Sequence, residues 1–133
     1  MSDTRILLIE DDKFLRRACE VGLKKRGFAV VTANDGEEGL QKAQEESFDL
    51  ILMDMLMPKL SGLEALEALK KDDRTRGIPV VILSNSSLDT DMQRAMELGA
   101  AGYMVKASLS LQELGDQVLS FIKGAGSASE MPQ

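Results

Sequence analysis

At 133 residues, 44% apolar and 29% charged, the chain has the size and make-up of one globular domain with a single core. Its net charge of −6, with no basic run, excludes non-specific binding to nucleic acid or an anionic membrane by this chain. It has no His, no Trp and one cysteine, Cys19, so imidazole chemistry, a base-stacking platform and an internal disulfide are all excluded, and a reducing cytoplasm fits.

Short apolar runs alternate with helical patterns five times. The run at Arg5 to Ile9 reads as a strand, too short for a signal peptide, and no stretch reaches transmembrane length. Lys13 to Arg26 reads as a helix with Phe14, Ala18, Cys19 and Leu23 near one side, ended by Gly27. Ala29 to Ala33 is β-branched and reads as the second strand; Asp35 then caps a helix running to about Glu46. Phe48 to Asp54 is the third strand. Its unbroken run Leu50-Ile-Leu-Met53 suits a strand buried on both faces.

The run stops at Asp54, and Pro58 cannot continue a sheet ladder. Ser61 opens the third helix with Glu64 completing a capping-box pattern, and Leu63, Leu66 and Leu69 form its stripe. Pro79 to Ser84 is the fourth strand, with a helix from about Leu88 to Leu98 behind it. Gly102 to Lys106 is the fifth strand. The last helix begins near Ser110, with Leu111, Leu114, Val118, Phe121 and Ile122 at helical spacing. After Lys123 the small, polar residues 124–133 read as a disordered tail or a truncated linker, leaving one domain over residues 4–123.

Alternating strands and helices imply a parallel sheet covered on both faces. All strands then point one way, and their C-terminal ends share the edge where ligands bind in open α/β sheets. On that edge the sequence places Glu10-Asp11-Asp12, Asp54, Ser84 and Lys106. Crowded carboxylates repel unless a cation lies among them. With oxygen ligands and no His or thiolate cluster, Mg²⁺ is the natural ion. Lys106 supplies a point charge suited to a phosphoryl group, and Ser84 one hydrogen bond. The set reads as metal-assisted phosphoryl transfer with a carboxylate nucleophile. Taken singly, each residue has a plainer role: Asp12 as a helix cap, Lys106 as a surface lysine, Ser84 and Ser86-Ser87 as turn residues.

The ordered set Glu10-Asp11, Leu-Met-Asp54-Met-Leu-Met-Pro58 with Gly62, Ser84 and Gly-Tyr103-Met-Val-Lys106 resembles the receiver domain of bacterial two-component response regulators across residues 4–123. The resemblance implies a flavodoxin-like, doubly wound α/β fold: five parallel strands in the order 2-1-3-4-5, with five helices. It implies that Asp54 accepts a phosphoryl group from a sensor histidine kinase or phosphotransfer protein. Asp11 and Asp54 would bind Mg²⁺ directly, Glu10 through water and Leu56 through its backbone carbonyl. Lys106 and Ser84 would contact the phosphoryl group. Ser84 and Tyr103 would move together and alter the face formed by the fourth helix, fifth strand and last helix, read by an unspecified downstream protein. The chain would be a cytoplasmic switch that assists its own phosphorylation and dephosphorylation, not an enzyme acting on other substrates, and would contact neither nucleic acid nor membrane.

Three features depart from the family pattern. Ala107 stands where Pro usually follows the lysine, and Asn85 where Ala or Gly follows the hydroxyl. Leu56 and Ser86 occupy the positions that tune dephosphorylation, and Leu56 has no polar group to position a water. A cis bond before a non-proline residue costs about 2.5–4 kcal/mol, so a trans Lys106–Ala107 peptide is expected, with Lys106 kept near Asp54. Rival readings are weaker on particular residues. A haloacid-dehalogenase-type phosphatase wants an acid where Leu56 stands. Flavodoxin would place a phosphate beside Glu10-Asp11-Asp12, which would repel it. A pseudo-receiver that only binds partners leaves the acidic set and Lys106 without a purpose.

Overall fold

The computed structural model describes residues 4–85 and 89–126. Five parallel strands alternate with five helices: β1 (Arg5–Ile9), α1 (Lys13–Lys25), β2 (Ala29–Ala33), α2 (Gly36–Glu45), β3 (Leu50–Asp54), α3 (Gly62–Lys71), β4 (Val80–Ser84), α4 (Asp89–Glu97), β5 (Gly102–Val105) and α5 (Leu111–Gly126). A 3₁₀ turn at Lys106–Ser108 joins β5 to α5. The sheet order is β2-β1-β3-β4-β5, the expected flavodoxin-like order.

The unbroken apolar runs are explained by burial on both faces. Side chains alternate across a strand, so odd and even positions reach different helices. Leu7, Ile9, Ile51, Met53, Val80 and Ile82 enter one core cluster with Ala65, Leu66 and Leu69 of α3. Ile6, Leu8, Leu50, Leu52, Val81 and Leu83 enter the other, with Cys19 and Leu23 of α1 and Leu114 and Val118 of α5. Helices α1 and α5 pack together, as do α2 and α3. Among the described residues no helix is long and apolar enough to cross a membrane.

Caps fall where the sequence puts them. Asp12 accepts from the backbone N–H groups of Phe14 and Leu15 at the start of α1. Asp35 accepts from Glu38 at α2. Ser61 and Glu64 bond reciprocally at α3, and Ser110 and Glu113 repeat the arrangement at α5. Gly27, with φ of 94°, turns the chain out of α1 in the left-handed region.

Two expected core residues are displaced. Phe14 is 85% exposed and Leu111 47% exposed. Helical geometry accounts for Phe14: at 3.6 residues per turn it sits about 140° from Cys19, whereas Leu15 sits about 40° away. Leu15, not Phe14, packs against the α1 side of the core. Helix α5 continues through Gly126, three residues past the boundary expected at Lys123. Residues 127–133, the rest of the expected tail, lie outside the described residues, as do Leu88, expected to begin α4, and the Ser86-Ser87 pair.

Gly62 ties α3 to the end of β3. Its N–H donates to the Met55 carbonyl at 2.7 Å, and a Cβ there would run into the Asp54 carbonyl oxygen and lie 2.8 Å from Met55 Cα. These are backbone atoms with no rotamer to change. Gly62→Ala should therefore destabilise the fold by about 1–3 kcal/mol through forced backbone displacement. Urea unfolding should show the lower midpoint at unchanged slope.

Candidate functional site

Strand register brings the chemistry to one edge. Ile9 pairs with Met53, so Glu10 stands level with Asp54. Asp54 pairs with Leu83, placing Ser84 one residue beyond it. Ser84 pairs with Val105, placing Lys106 one further on. Alternation then sorts them. Glu10, Asp54 and Lys106 fall at positions of the same parity as Leu8, Leu52 and Met104, on the α1/α5 side. Ser84 and Tyr103 fall with Ile82, on the side of α3 and α4.

The geometry is close. Lys106 Nζ lies 3.0 Å from Glu10 Oε1 and 3.0 Å from Asp54 Oδ1. Glu10 is 1% exposed and Asp54 6%. Glu10 Oε2 accepts from the backbone N–H of Asp12 at 3.1 Å. Glu10 Oε1 is buried and meets Lys106 as a charge contact, without an aligned hydrogen bond. Exposed Asp11 completes the acidic group: ligand oxygens of Glu10, Asp11 and Asp54 lie within 4.8 Å of one another. The Lys106–Ala107 peptide is trans, as no described peptide bond is cis, and Lys106 faces Asp54 as expected.

Electrostatics follow from that packing. Burial raises the Glu10 carboxyl above its ordinary value; the Asp12 N–H and Lys106 pull the other way without cancelling it. Burial likewise raises Asp54, against the pull of Lys106. Burial disfavours the Lys106 ammonium, but the Glu10 and Asp54 carboxylates more than offset this and hold its pKa above that of an ordinary lysine. One cation thus serves two buried carboxylates, and the cluster retains excess negative charge. A buried carboxylate oxygen without an aligned donor, beside two further carboxylates, fits a hard divalent cation. Cys19 is no alternative nucleophile: burial pushes its thiol up to about 11.

A cleft of about 710 Å³ opens over this cluster, and Leu56, Ser84 and Asn85 line it. Ser84 is buried, with its Oγ 3.9 Å from Met55 Sδ. Leu56 is 75% exposed at the rim. Tyr103 is half-buried against the core on the α3/α4 side, away from the cleft lining. Asp12, Ser61, Leu63 and Asp91 also line the cleft. Asp91 was missed as a site residue. Its signal was available: it lies in the first turn of the helix that follows the fourth strand, at the ligand-bearing edge.

A family model for the response regulator receiver domain matches residues 6–118. The chain belongs to this family, the receiver domains of two-component signalling. The Pseudomonas aeruginosa transcriptional activator PfeR is 39% identical over 83% of this chain and 35% of its own length. The Myxococcus xanthus gliding motility regulatory protein is 37% identical over 86% of the chain and 15% of its own length. The Bacillus subtilis alkaline phosphatase synthesis transcriptional regulatory protein PhoP is 33% identical over 96% of the chain and 53% of its own. The chain therefore spans about half or less of these curated relatives. Among solved structures, the Vibrio cholerae chemotaxis protein CheY4 aligns with a TM-score of 0.85 at 28% identity, covering 90% of this chain and 99% of that one. The receiver domain of Pseudomonas aeruginosa sensor histidine kinase PA1611, solved with a magnesium ion coordinated in its active-site cleft, aligns at 0.83 and 26% identity, covering 92% and 99%.

Removing one of the crowded carboxylates should relieve repulsion. Asp54→Asn should raise the Tm of the metal-free protein by a few degrees, on the order of 1 kcal/mol. Mg²⁺ should raise the Tm of the wild type more than that of the variant. Thermal melts with EDTA and with Mg²⁺ check both.

Proposed function

We propose that the chain is a phosphorylation-dependent signalling switch with Asp54 as its phosphoacceptor. The observation that carries this is the half-buried Lys106 ammonium, 3.0 Å from both Glu10 and Asp54 at the ligand edge of the sheet. A sensor histidine kinase or a phosphotransfer protein in the cytoplasm supplies the phosphoryl group from a phosphohistidine. An Asp54 oxygen bonds to phosphorus, the phosphorus–nitrogen bond breaks, and its electron pair returns to the donor imidazole. Lys106, already beside Asp54, pairs with the transferred group.

Asp11 and Asp54 would hold Mg²⁺ directly, Glu10 through water and Leu56 through its carbonyl; the ion would neutralise charge among the carboxylates and phosphoryl oxygens. The chain's own contribution is positioning and charge, which dominate phosphoryl transfer. Transfer changes the charge beside Ser84, whose hydroxyl moves to the phosphoryl group. Tyr103 shares that sheet face two positions along the neighbouring strand. Its movement alters the α4–β5–α5 face for a downstream protein. This is a two-state element biased by one new charge. Residues 4–123 act as the receiver unit, with any tail or linker beyond it.

Acetyl phosphate with Mg²⁺ should add one phosphoryl group by intact mass. Asp54→Asn should take none, and EDTA should abolish labelling of the wild type. Labelling of the variant equal to the wild type would sink the assignment; a wild type that never labels would instead favour a pseudo-receiver that only binds partners. Sustained hydrolysis of a phosphomonoester would favour the phosphatase reading.

Tyr103 is the single tyrosine of a Trp-free chain, so its emission reports the switch. Beryllofluoride, a phosphoryl mimic, should change that emission in the wild type and change it much less in Ser84→Ala. Equal responses would mean that the hydroxyl does not transmit the event.

A further inference from the structure

We infer that Asn85 positions the water that hydrolyses the phosphoryl group from Asp54. This rests on Asp54 being the phosphoacceptor. Attack on a phosphoryl group is in line: the incoming oxygen approaches from the side opposite the bond that breaks. With the phosphoryl group on Asp54, that side is the open mouth of the cleft, away from the floor formed by Glu10, Asp54 and Lys106. Asn85, Leu56, Ser61, Leu63 and Asp91 line the cleft beyond Met55 and the residues already given roles at the ion (Asp11), the phosphoryl group (Ser84) and the α1 cap (Asp12).

Most of these cannot hold a water for attack. Leu56 and Leu63 have no polar side-chain atom. The Ser61 hydroxyl accepts the Glu64 N–H in the cap of α3. Asp91 brings a further carboxyl group, which would add like charge beside the phosphoryl group and the carboxylates below it. Asn85 remains. It directly follows Ser84 at the end of β4 and is exposed at the cleft. No hydrogen bond engages its carboxamide among the described residues. A neutral carboxamide offers an acceptor and donors together, the combination that orients an attacking water beside a phosphoryl group without adding charge.

The step balances without a further reagent. The water oxygen bonds to phosphorus, the phosphorus–Oδ bond of Asp54 breaks, and the electron pair returns to the carboxylate. Both water protons leave on the inorganic phosphate. Asn85 changes no bond; it fixes the approach.

Two measurements on the full chain test this. Protein labelled with acetyl phosphate is freed of reagent in Mg²⁺, and loss of the phosphoryl group is followed by intact mass. Asn85→Ala should lengthen the half-life by about fivefold or more. Its beryllofluoride affinity in Mg²⁺, measured by calorimetry, should stay within about twofold of wild type, because the mimic is bound and not attacked. An unchanged or shorter half-life would overturn the inference, the shorter one marking Asn85 as a steric barrier. Weakened beryllofluoride binding would also overturn it, making Asn85 a ligand of the phosphoryl group. A wild type that takes no label fails the phosphoacceptor reading itself, and so is told apart from failure at Asn85.

Discussion

The site depends on one ammonium group shared between two buried carboxylates. Glu10 and Asp54 are almost wholly removed from water, and Lys106 stands 3.0 Å from each. A buried carboxylate without a counter-charge takes up a proton, and a protonated Asp54 is a poor nucleophile. Lys106 restrains that outcome while leaving the pair under-neutralised, so the cluster attracts a further cation. Fold and chemistry meet here: the charges converge only because β1, β3 and β5 are parallel and end together.

Parity in the strands divides the labour. Even-numbered Glu10, Asp54 and Lys106 take the α1/α5 side, where Asp12 and Arg16 of the α1 region brace Glu10 through hydrogen bonds. Ser84 and Tyr103 take the α3/α4 side. A phosphoryl group at Asp54 would stand beside both sets. Under the proposed switch, charge compensation and conformational readout could then be altered separately by substitution, since they do not share side chains.

Much of this was legible in the chain because the signals were dense. Four apolar residues ending at Asp54 suit only a central strand, and alternating elements fixed the edge where Glu10, Ser84 and Lys106 had to meet. Boundaries were marked by Ser61, Asp35 and Asp12, whose side chains cap without tertiary help. Phe14 was misplaced because composition outweighed angle: a large apolar residue near a stripe invites assignment to it, and a shift of one residue turns it about 100° away. Leu111 keeps the angle of its stripe, about 20° from Val118, and is half-exposed because it opens α5. Asp91 was obscured for another reason. An acidic residue in a first helical turn is so ordinary that only the packing of α4 against the cleft sets it apart.

The pairing of α1 with α5 has a consequence for synthesis. Each strand joins a partner already made: β3 finds β1, β4 finds β3, and β5 finds β4. Helix α1 has no such luck, because Leu114 and Val118, which cover the cluster containing its Cys19 and Leu23, come from the last helix. The first helix off the ribosome packs early on β1 and β2, but the side of its stripe that faces α5 stays open until the last helix is made. Closure of the domain is a C-terminal event, and a chain cut short before α5 would expose the flank beside its acidic cleft.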